Sequence, residues 1–258
     1  MTFIKSEMEG SVLKITLNRP DKFNSFNREM ALQLQAELDK AANVAAIRAV
    51  YLTGEGKAFC AGQDLSEAMD ENGPGIEKIV REHYNPILMK LRSLEKPVIC
   101  AVNGVAAGAG ANIALACDIV IAGSSVSFIQ AFSKIGLIPD SGGTFFLPRL
   151  IGFGKASALM MLGDKVNASD AEKMGMVYKV IEDANLQTEA MAIAKTIADM
   201  PTKAIALTKK LLNQSMDNPL NLQLEYEADM QIHAAGTYDY DEGVKAFLEK
   251  RKPVFKGE

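Results

Sequence analysis

The 258-residue sequence predicts an α/β fold in which most strands pair in parallel. The short apolar runs 97–102 and 118–122 have the length and composition of buried strands. Segments with helical or small-residue character alternate with such runs, a pattern typical of parallel sheets covered by helices. After Pro201 the strand signals stop and helical periodicity continues. We therefore predict an α/β core over residues 1–200 and a helical region over residues 201–258.

The N-terminal elements follow from local periodicity. Residues 3–8 and 12–17 alternate apolar and polar side chains on either side of a Gly-containing turn, which predicts a hairpin. Apolar residues recur at helical spacing over 28–42 and predict an amphipathic helix. The run 47–53 predicts a buried strand, and residues 54–66 are expected to form a loop.

Further elements lie in the middle of the chain. An apolar stripe over 76–93 predicts a second helix, which Pro86 should kink. The small-residue stretch 107–116 predicts a helix between two strands. A further strand near 126–129 leads through a Gly-rich turn to a helix from about residue 142. The apolar faces of the C-terminal helices need a partner, either the core or another subunit.

Composition narrows the class of protein. Apolar residues make up 48% and charged residues 23% of the chain, and the net charge of −4 argues against a nucleic-acid binder. Cys60, Cys100 and Cys117 are too few and too scattered for a disulfide framework, and their spacing indicates no metal site. The N-terminus has no signal-peptide pattern, and no apolar run is long enough to span a membrane. These features predict a soluble cytoplasmic protein.

Two segments that contain Gly follow predicted strands. Segment 57–66 is either a tight turn or a place where a ligand approaches the backbone. Segment 104–112 runs directly into a helix, whose unpaired N–H groups can stabilise an anion or a developing oxyanion. Close packing of the helix on a sheet would select the same small residues, so both interpretations of 104–112 remain open.

Three ionisable residues are candidates for chemistry. Asp140 lies in an apolar stretch just before Ser-Gly-Gly-Thr, so it is either a helix N-cap or a carboxylate whose basicity is raised in an apolar pocket. His83 lies on the apolar stripe of the second helix, where a core histidine is the default interpretation. His233 has no apparent partner, and no Ser/His/Asp arrangement with a Gly-x-Ser-x-Gly motif occurs.

The segments taken together resemble the crotonase, or enoyl-CoA hydratase/isomerase, superfamily over nearly the whole chain. The order of so many matching segments makes this resemblance specific. They are Asn18-Arg19-Pro20, FNSF (23–26), FCAGQDL (59–65), KPVICAVNG (96–104), AAGAGANIALACDIVIA (106–122) and GDKVNASDAEKMGMVYKV (163–180).

The resemblance implies a spiral of ββα units with a C-terminal helical region that forms trimers or dimers of trimers. It implies an acyl-CoA thioester as substrate, with coenzyme A entering only as part of that substrate and no permanently bound cofactor. The backbone N–H groups of Gln63 and Ala109 would form an oxyanion hole. CoA would lie along the loops 20–26 and 61–66, where the expected contacts are Lys22, Asn24, Ala61, Asp64 and Leu65.

Within the superfamily, hydratases carry two glutamates that activate water, and the matching positions here are Asn112 and Phe132. Asp140 stands where hydratases usually have glycine, which resembles certain isomerases. The run 136–152 is most similar to the ring-1,2-epoxyphenylacetyl-CoA isomerases of phenylacetate catabolism. We therefore expect Asp140 to act as the base of an isomerase, with Phe132, Asn112 and His83 around the acyl group.

Three alternatives remain. One is an enoyl-CoA hydratase of fatty acid metabolism. A second is an aryl-CoA dehalogenase with Asp140 as nucleophile and His83 beside it, although these enzymes carry Trp where this chain has Phe132. The third, a non-catalytic RNA-binding relative, is disfavoured because the chain is acidic and has no basic stripe. The expected partners are thus an acyl-CoA and copies of the chain itself, without nucleic acid or membrane.

Overall fold

The computed structural model describes residues 2–258. Within this range the strands form two sheets, and the order of the strands in the chain is as follows. They are β1 Ile4–Glu9, β2 Val12–Leu17, β3 Ala49–Gly54, β4 Ala58–Cys60, β5 Val98–Val102, β6 Val105–Ala107, β7 Ile119–Gly123, β8 Ser127–Ile129, β9 Lys165–Asn167 and β10 Lys179–Ile181.

The helices cover both sheets and form the C-terminal region. They are α1 Arg28–Asn43, α2 Leu65–Ala68, α3 Gly75–Lys78, α4 Asn85–Ser93, α5 Ala109–Leu115, α6 Gly143–Ile151, α7 Phe153–Leu162, α8 Ala168–Lys173, α9 Leu186–Ala198, α10 Thr202–Gln214, α11 Leu220–Ala235 and α12 Tyr238–Leu248. A π-helical turn, Ile79–Tyr84, joins α3 to α4, and 3₁₀ turns occupy Pro20–Lys22 and Ala131–Ile135.

Successive units of the chain add one strand to each sheet. The larger sheet has the order β1-β2-β3-β5-β7-β10, and the smaller has the order β4-β6-β8-β9. The pairs β3–β5 and β5–β7 are parallel, and so are β4–β6 and β6–β8. Each ββα unit therefore ends with a helix that returns the chain to the larger sheet. The predicted α/β fold and spiral of ββα units are confirmed.

The central strands β3 and β5 of the larger sheet are buried on both faces. Alternate residues of β3 enter two cores: Val50 and Leu52 pack on the side of α1, while Ala49 and Tyr51 pack on the side of α9. Burial on both faces explains why the strands appear as continuous apolar runs in the sequence.

Glycine permits the crossing from one sheet to the other. Gly104 lies between β5 and β6, and a Cβ atom there would be 2.2 Å from the carbonyl oxygen of Lys57. No side chain fits at that distance, so the backbones of neighbouring units meet directly. This crossing places the loops that follow β4 and β6 side by side.

The structure confirms the hairpin and the first helix, and it corrects several details. Strand β3 begins at Ala49, two residues later than predicted. The predicted loop 54–66 contains β4, and the stretch before α5 contains β6. Strands of three residues are too short to give a periodic signal, so they were missed.

The predicted helix 76–93 is interrupted rather than merely kinked. The π turn ends just before Pro86, whose ring nitrogen cannot donate a hydrogen bond. The side-chain amide of Gln35 instead donates to the carbonyl oxygens of Glu82 (2.8 Å) and His83 (3.1 Å). Helix α1 thereby satisfies carbonyl groups that the irregular turn leaves free.

The C-terminal region is helical, as predicted, and it is attached to the core. Lys209 of α10 is buried, and its ammonium group contacts Asp118 (2.8 Å) and the carbonyl oxygen of Leu91 (2.7 Å). Burial lowers the pKa of Lys209, while the carboxylate of Asp118 opposes that effect. No helix within residues 2–258 is both long and apolar enough to cross a bilayer.

Candidate functional site

A cavity of about 580 Å³ lies where the loops after β4 and β6 meet the segment before α6. Its lining is mainly apolar, with a few polar groups. The lining residues are Ala61, Gly62, Gln63, Leu65, Ala68, Ile76, Ile79, Val80, Tyr84, Asn85, Gly108, Ala109, Ala131, Phe132, Lys134, Ile135, Leu137, Ile138, Pro139, Asp140, Ser141, Gly142 and Thr144. An apolar concavity with few convergent polar groups is the usual form of a small-molecule site.

Gly62 allows the two loops to approach each other. Its φ of +93° lies in a region that L side chains rarely adopt. A Cβ atom at this position would be 3.0 Å from the carbonyl oxygen of Ala107 and 3.6 Å from the backbone nitrogen of Ala109. The turn after β4 thus lies directly against the first residue of α5.

Two backbone N–H groups at this junction are free. The neighbouring N–H groups are occupied, since Asp64 donates to the carbonyl oxygen of Phe26 (2.8 Å) and Gly108 donates to that of Ile129 (2.9 Å). For Gln63 and Ala109, no acceptor exists among residues 2–258. Both residues line the cavity, so their N–H groups are available to a carbonyl oxygen bound there.

Asp140 presents a carboxylate to the same cavity. Burial in these apolar surroundings raises the pKa of Asp140, and a hydrogen bond from the Ser141 hydroxyl to Oδ1 (2.9 Å) opposes that shift. Gly142, not Asp140, is the N-cap residue of α6, and no side chain caps this helix. The N-cap interpretation of Asp140 is therefore wrong, whereas a pocket carboxylate of raised basicity agrees with the structure.

Asn112 and Phe132 occupy different environments. Phe132 lines the cavity, as expected. Asn112 was expected beside the acyl group, but it is fully buried behind the cavity wall. Its amide nitrogen donates to the backbone carbonyl oxygen of Asp140 (2.8 Å), and its oxygen accepts from the Gln130 side chain (2.7 Å). Asn112 therefore supports the segment that carries the carboxylate.

We expect Asn112→Ala to lower the free energy of unfolding by about 1–3 kcal/mol, because it leaves the Gln130 side-chain amide buried without a partner and removes one of the two hydrogen bonds to the Asp140 carbonyl oxygen. Urea unfolding followed by circular dichroism measures this change. The exposed Asn72 provides the matched control, Asn72→Ala, which should leave stability unchanged. Equal stability of the two variants would contradict the role of Asn112.

His83 was also expected near the acyl group, and the structure places it elsewhere. Its side chain is buried and does not line the cavity, and its Nε2 lies 3.2 Å from Nη1 of Arg28. Burial and this adjacent cation lower the pKa of His83. His83 thus belongs to the core, although its Nδ1 has no hydrogen-bond partner within residues 2–258. The next residue, Tyr84, reaches the cavity instead.

The five residues expected to contact CoA fall into two groups: three are exposed, and two have side chains that bind other groups of the protein. Lys22, Ala61 and Leu65 are exposed around the cavity mouth or at the neighbouring loop. Asn24 is buried, and its amide donates to backbone carbonyl oxygens of Glu55 (2.9 Å) and Ala58 (2.8 Å). That side chain cannot reach a ligand, so Asn24 shapes the loop.

The fifth residue, Asp64, holds the same loop together. Its carboxylate pairs with Arg19 at 2.9 Å and accepts hydrogen bonds from the backbone and hydroxyl of Ser66 at the start of α2. The side chain of Asp64 is therefore committed to contacts within the protein.

Tyr84 is a residue of the site that was not predicted from the sequence. Its hydroxyl donates to the side-chain oxygen of Gln63 at 2.8 Å. Tyr84 lies on the apolar stripe that predicted the second helix, but the π turn that directs it into the cavity has no sequence signal. Lys134 and Ser141 also line the cavity and were not predicted.

The chain is similar to known proteins along its whole length. Residues 7–258 match the family described as enoyl-CoA hydratase/isomerase. The chain is 47% identical to the 1,2-epoxyphenylacetyl-CoA isomerase of Escherichia coli K12, over 100% of this chain and 99% of that protein. It is 36% identical to the short-chain-enoyl-CoA hydratase of Clostridium acetobutylicum, over 95% and 94% respectively.

Solved structures show the same fold. An enoyl-CoA hydratase from Bacillus anthracis superposes with a TM-score of 0.93 and 37% identity, covering 100% of both chains. Relatives with isomerase and hydratase names therefore share both the fold and much of the sequence.

Proposed function

The chain is an enzyme of the enoyl-CoA hydratase/isomerase family, and we propose that it is an acyl-CoA isomerase. One observation carries this choice. Within the described residues, Asp140 is the sole carboxylate that lines the cavity, and it lies in the same cavity as the free N–H groups of Gln63 and Ala109. One carboxylate is enough to move a proton between two carbon atoms of one substrate.

The oxyanion hole makes such a proton removable. In the proposed complex, the thioester oxygen accepts hydrogen bonds from Gln63 and Ala109, so that negative charge on this oxygen is stabilised as the neighbouring C–H bond breaks. Loss of one such donor typically costs about 3 kcal/mol of transition-state stabilisation. Because both donors are backbone groups in a packed junction, they need little reorganisation during the reaction.

Asp140 carries the proton. With a 3-enoyl-CoA, its carboxylate takes a proton from C2, and the electrons of that C–H bond form a dienolate. The same proton then returns to C4 and the double bond moves to C2–C3, so the mass of the substrate is unchanged. Phe132 gives the cavity an apolar wall that excludes water and favours isomerisation over hydration.

The ring epoxide of phenylacetyl-CoA is the second substrate that we propose, since the Escherichia coli relative is named as its isomerase. There a proton would leave the carbon next to the thioester and return to the ring as the ring expands to a seven-membered oxepin. Formation of an oxepin of unchanged mass from this substrate supports the assignment, and its absence restricts the enzyme to enoyl-CoA substrates.

The first experiment compares 3-enoyl-CoA with 2-enoyl-CoA by absorbance and mass spectrometry. A gain of conjugation without change of mass is expected from the 3-enoyl substrate. Rapid addition of water to the 2-enoyl substrate would instead identify a hydratase, although the cavity offers no second carboxylate within residues 2–258. Chloride release from a haloaryl-CoA would identify a dehalogenase in which Asp140 is the nucleophile.

Coenzyme A and further copies of the chain are the proposed partners. We place the nucleotide beside the exposed Lys22 and the loop that carries Ala61 and Leu65. A trimer or a dimer of trimers agrees with the large apolar side chains exposed on the C-terminal helices, such as Ile232 and Phe247. Light scattering coupled to size exclusion measures the mass, and a monomer would contradict this assembly.

The activity should depend on pH through Asp140. The base must be ionised, and burial raises its pKa, so kcat/KM for 3-enoyl-CoA should fall as pH decreases through that raised value. We expect the midpoint of this acidic limb to lie above about pH 3.9, which is the ordinary pKa of an aspartate side chain. Ser141→Ala removes a hydrogen bond that favours the ionised form and should move the limb to higher pH. A midpoint that stays at the ordinary aspartate pKa would contradict the assignment of Asp140 as a base with a raised pKa.

A further inference from the structure

We propose that Tyr84 is a positioning residue for the oxyanion hole, because its hydroxyl holds the side chain of Gln63 and thereby directs the Gln63 backbone N–H into the cavity. The proposal rests on the function proposed above for that N–H group.

The Gln63 side chain is held at both ends. Its Oε1 accepts a hydrogen bond from the Tyr84 hydroxyl (2.8 Å), and its Nε2 donates to Oε2 of Glu67 (3.0 Å). The carboxylate of Glu67 is itself fixed, since both of its oxygens accept from the backbone nitrogen of Arg28 at 3.0 and 3.1 Å. Rotation of the Gln63 side chain would break several of these bonds.

The peptide groups on either side of Gln63 are also held. Phe26 donates to the carbonyl oxygen of Gly62 (2.7 Å) and accepts from the backbone nitrogen of Asp64 (2.8 Å). The free N–H of Gln63 belongs to the first of these anchored peptides, and the anchored side chain is attached to the Cα atom between them. Small rotations of this loop would change the angle at which the N–H meets a thioester oxygen, and hydrogen-bond energy depends strongly on that angle.

The position of Tyr84 is itself well determined. The ring is buried and packs edge-on against Phe26, with 5.9 Å between centroids and 70° between planes. Tyr84 ends the π-helical turn, a rare element that occurs frequently at functional sites. Because its hydroxyl hydrogen is already donated to Gln63, Tyr84 acts on a bound thioester through Gln63.

Infrared difference spectroscopy tests this arrangement without turnover. The probe is a saturated acyl-CoA with a ¹³C-labelled thioester carbonyl, which binds but has no double bond to move. Binding to the wild-type enzyme should shift the carbonyl stretch to lower frequency, because the oxyanion hole polarises the bond. Tyr84→Phe keeps the ring and should lose part of this shift. Tyr178 is exposed and outside the cavity, so Tyr178→Phe is the matched control and should keep all of it.

Kinetics of a double-mutant cycle supply the second measurement. Tyr84→Phe should lower kcat about tenfold with little change in KM, as expected for one weakened hydrogen bond in the transition state. In a Gln63→Ala background the same substitution should have no further effect, since the group through which Tyr84 acts is gone. Melting temperatures of the four proteins verify that each is folded.

Two results would overturn the proposal: an unchanged carbonyl shift in folded Tyr84→Phe, or full additivity of the Tyr84 and Gln63 substitutions. Failure of the isomerase proposal has a different signature. In that case the carbonyl shift would depend on Tyr84 as expected, while 3-enoyl-CoA would not be isomerised.

Discussion

Asp140→Asn is expected to lower kcat for 3-enoyl-CoA isomerisation by about 10²–10⁴-fold, the range typical for removal of a general acid–base group. Asparagine has nearly the same shape and cannot accept and return the proton at neutral pH. KM should change little, since the N–H groups of Gln63 and Ala109 still hold the thioester. Steady-state kinetics with the purified variant measure both constants.

The same substitution should stabilise the protein. Burial raises the pKa of Asp140 in the folded state, so the ionised form opposes folding at pH values above that raised pKa. A neutral amide removes this penalty, and the melting temperature should rise at neutral pH. The gain should shrink as pH falls through the raised pKa, because the wild-type carboxyl then becomes neutral as well.

A matched control separates this effect from a general change of charge. Asp164 is exposed, and Asp164→Asn should alter neither kcat nor the melting temperature. Retention of isomerase activity by Asp140→Asn would require another base and would remove the main support for the proposed mechanism. A lowered melting temperature at neutral pH would contradict the assignment of a raised pKa.

Gly62→Ala is expected to reduce kcat by about 10²–10³-fold through damage to the oxyanion hole. An alanine at φ +93° is strained, and its Cβ would lie 3.0 Å from the carbonyl oxygen of Ala107. Relief of this contact must move the turn away from α5 and separate the N–H groups of Gln63 and Ala109. The acidic limb of the pH profile should stay in place, because Asp140 is not displaced.

Gly10→Ala provides a control with similar backbone strain. Gly10 has a φ of +65° in the turn between β1 and β2, and no atom lies within 4 Å of an added Cβ. This variant should lose about 1–3 kcal/mol of stability and keep its kcat. If Gly62→Ala loses stability to the same extent but keeps its kcat, the oxyanion hole lies elsewhere.

Most regular elements could be predicted because their signals are local. The helix α1 has apolar residues at helical spacing and an Asn27 side chain that caps its N-terminus. Strand β5 is buried along its whole length, which its apolar run indicates. No such local signal exists for the strands β4 and β6 or for the π turn at Ile79–Tyr84. Packing between segments that are distant in the sequence determines these elements.

For the site, the resemblance to a family predicted Asp140 and the two N–H donors; all three residues line the same cavity, and their catalytic roles stay predictions. The resemblance was less successful for the residues around these three groups. Asn112, Asn24 and His83 were expected to touch substrate or CoA, and each is buried with its side chain directed at protein groups. A motif position indicates proximity to a site and does not state the direction of a side chain.

The sequence by itself determined the α/β class, the helical C-terminal region, the family and the one carboxylate on which we base an isomerase. Only the tertiary structure decided that Asp140 and the N–H groups of Gln63 and Ala109 share one cavity, that Asn112 supports the wall, and that Tyr84 replaces His83 at its surface. The physical reason is separation along the chain. Contacts such as Asn112 with Asp140, or Tyr84 with Gln63, form between segments whose local patterns carry no information about each other.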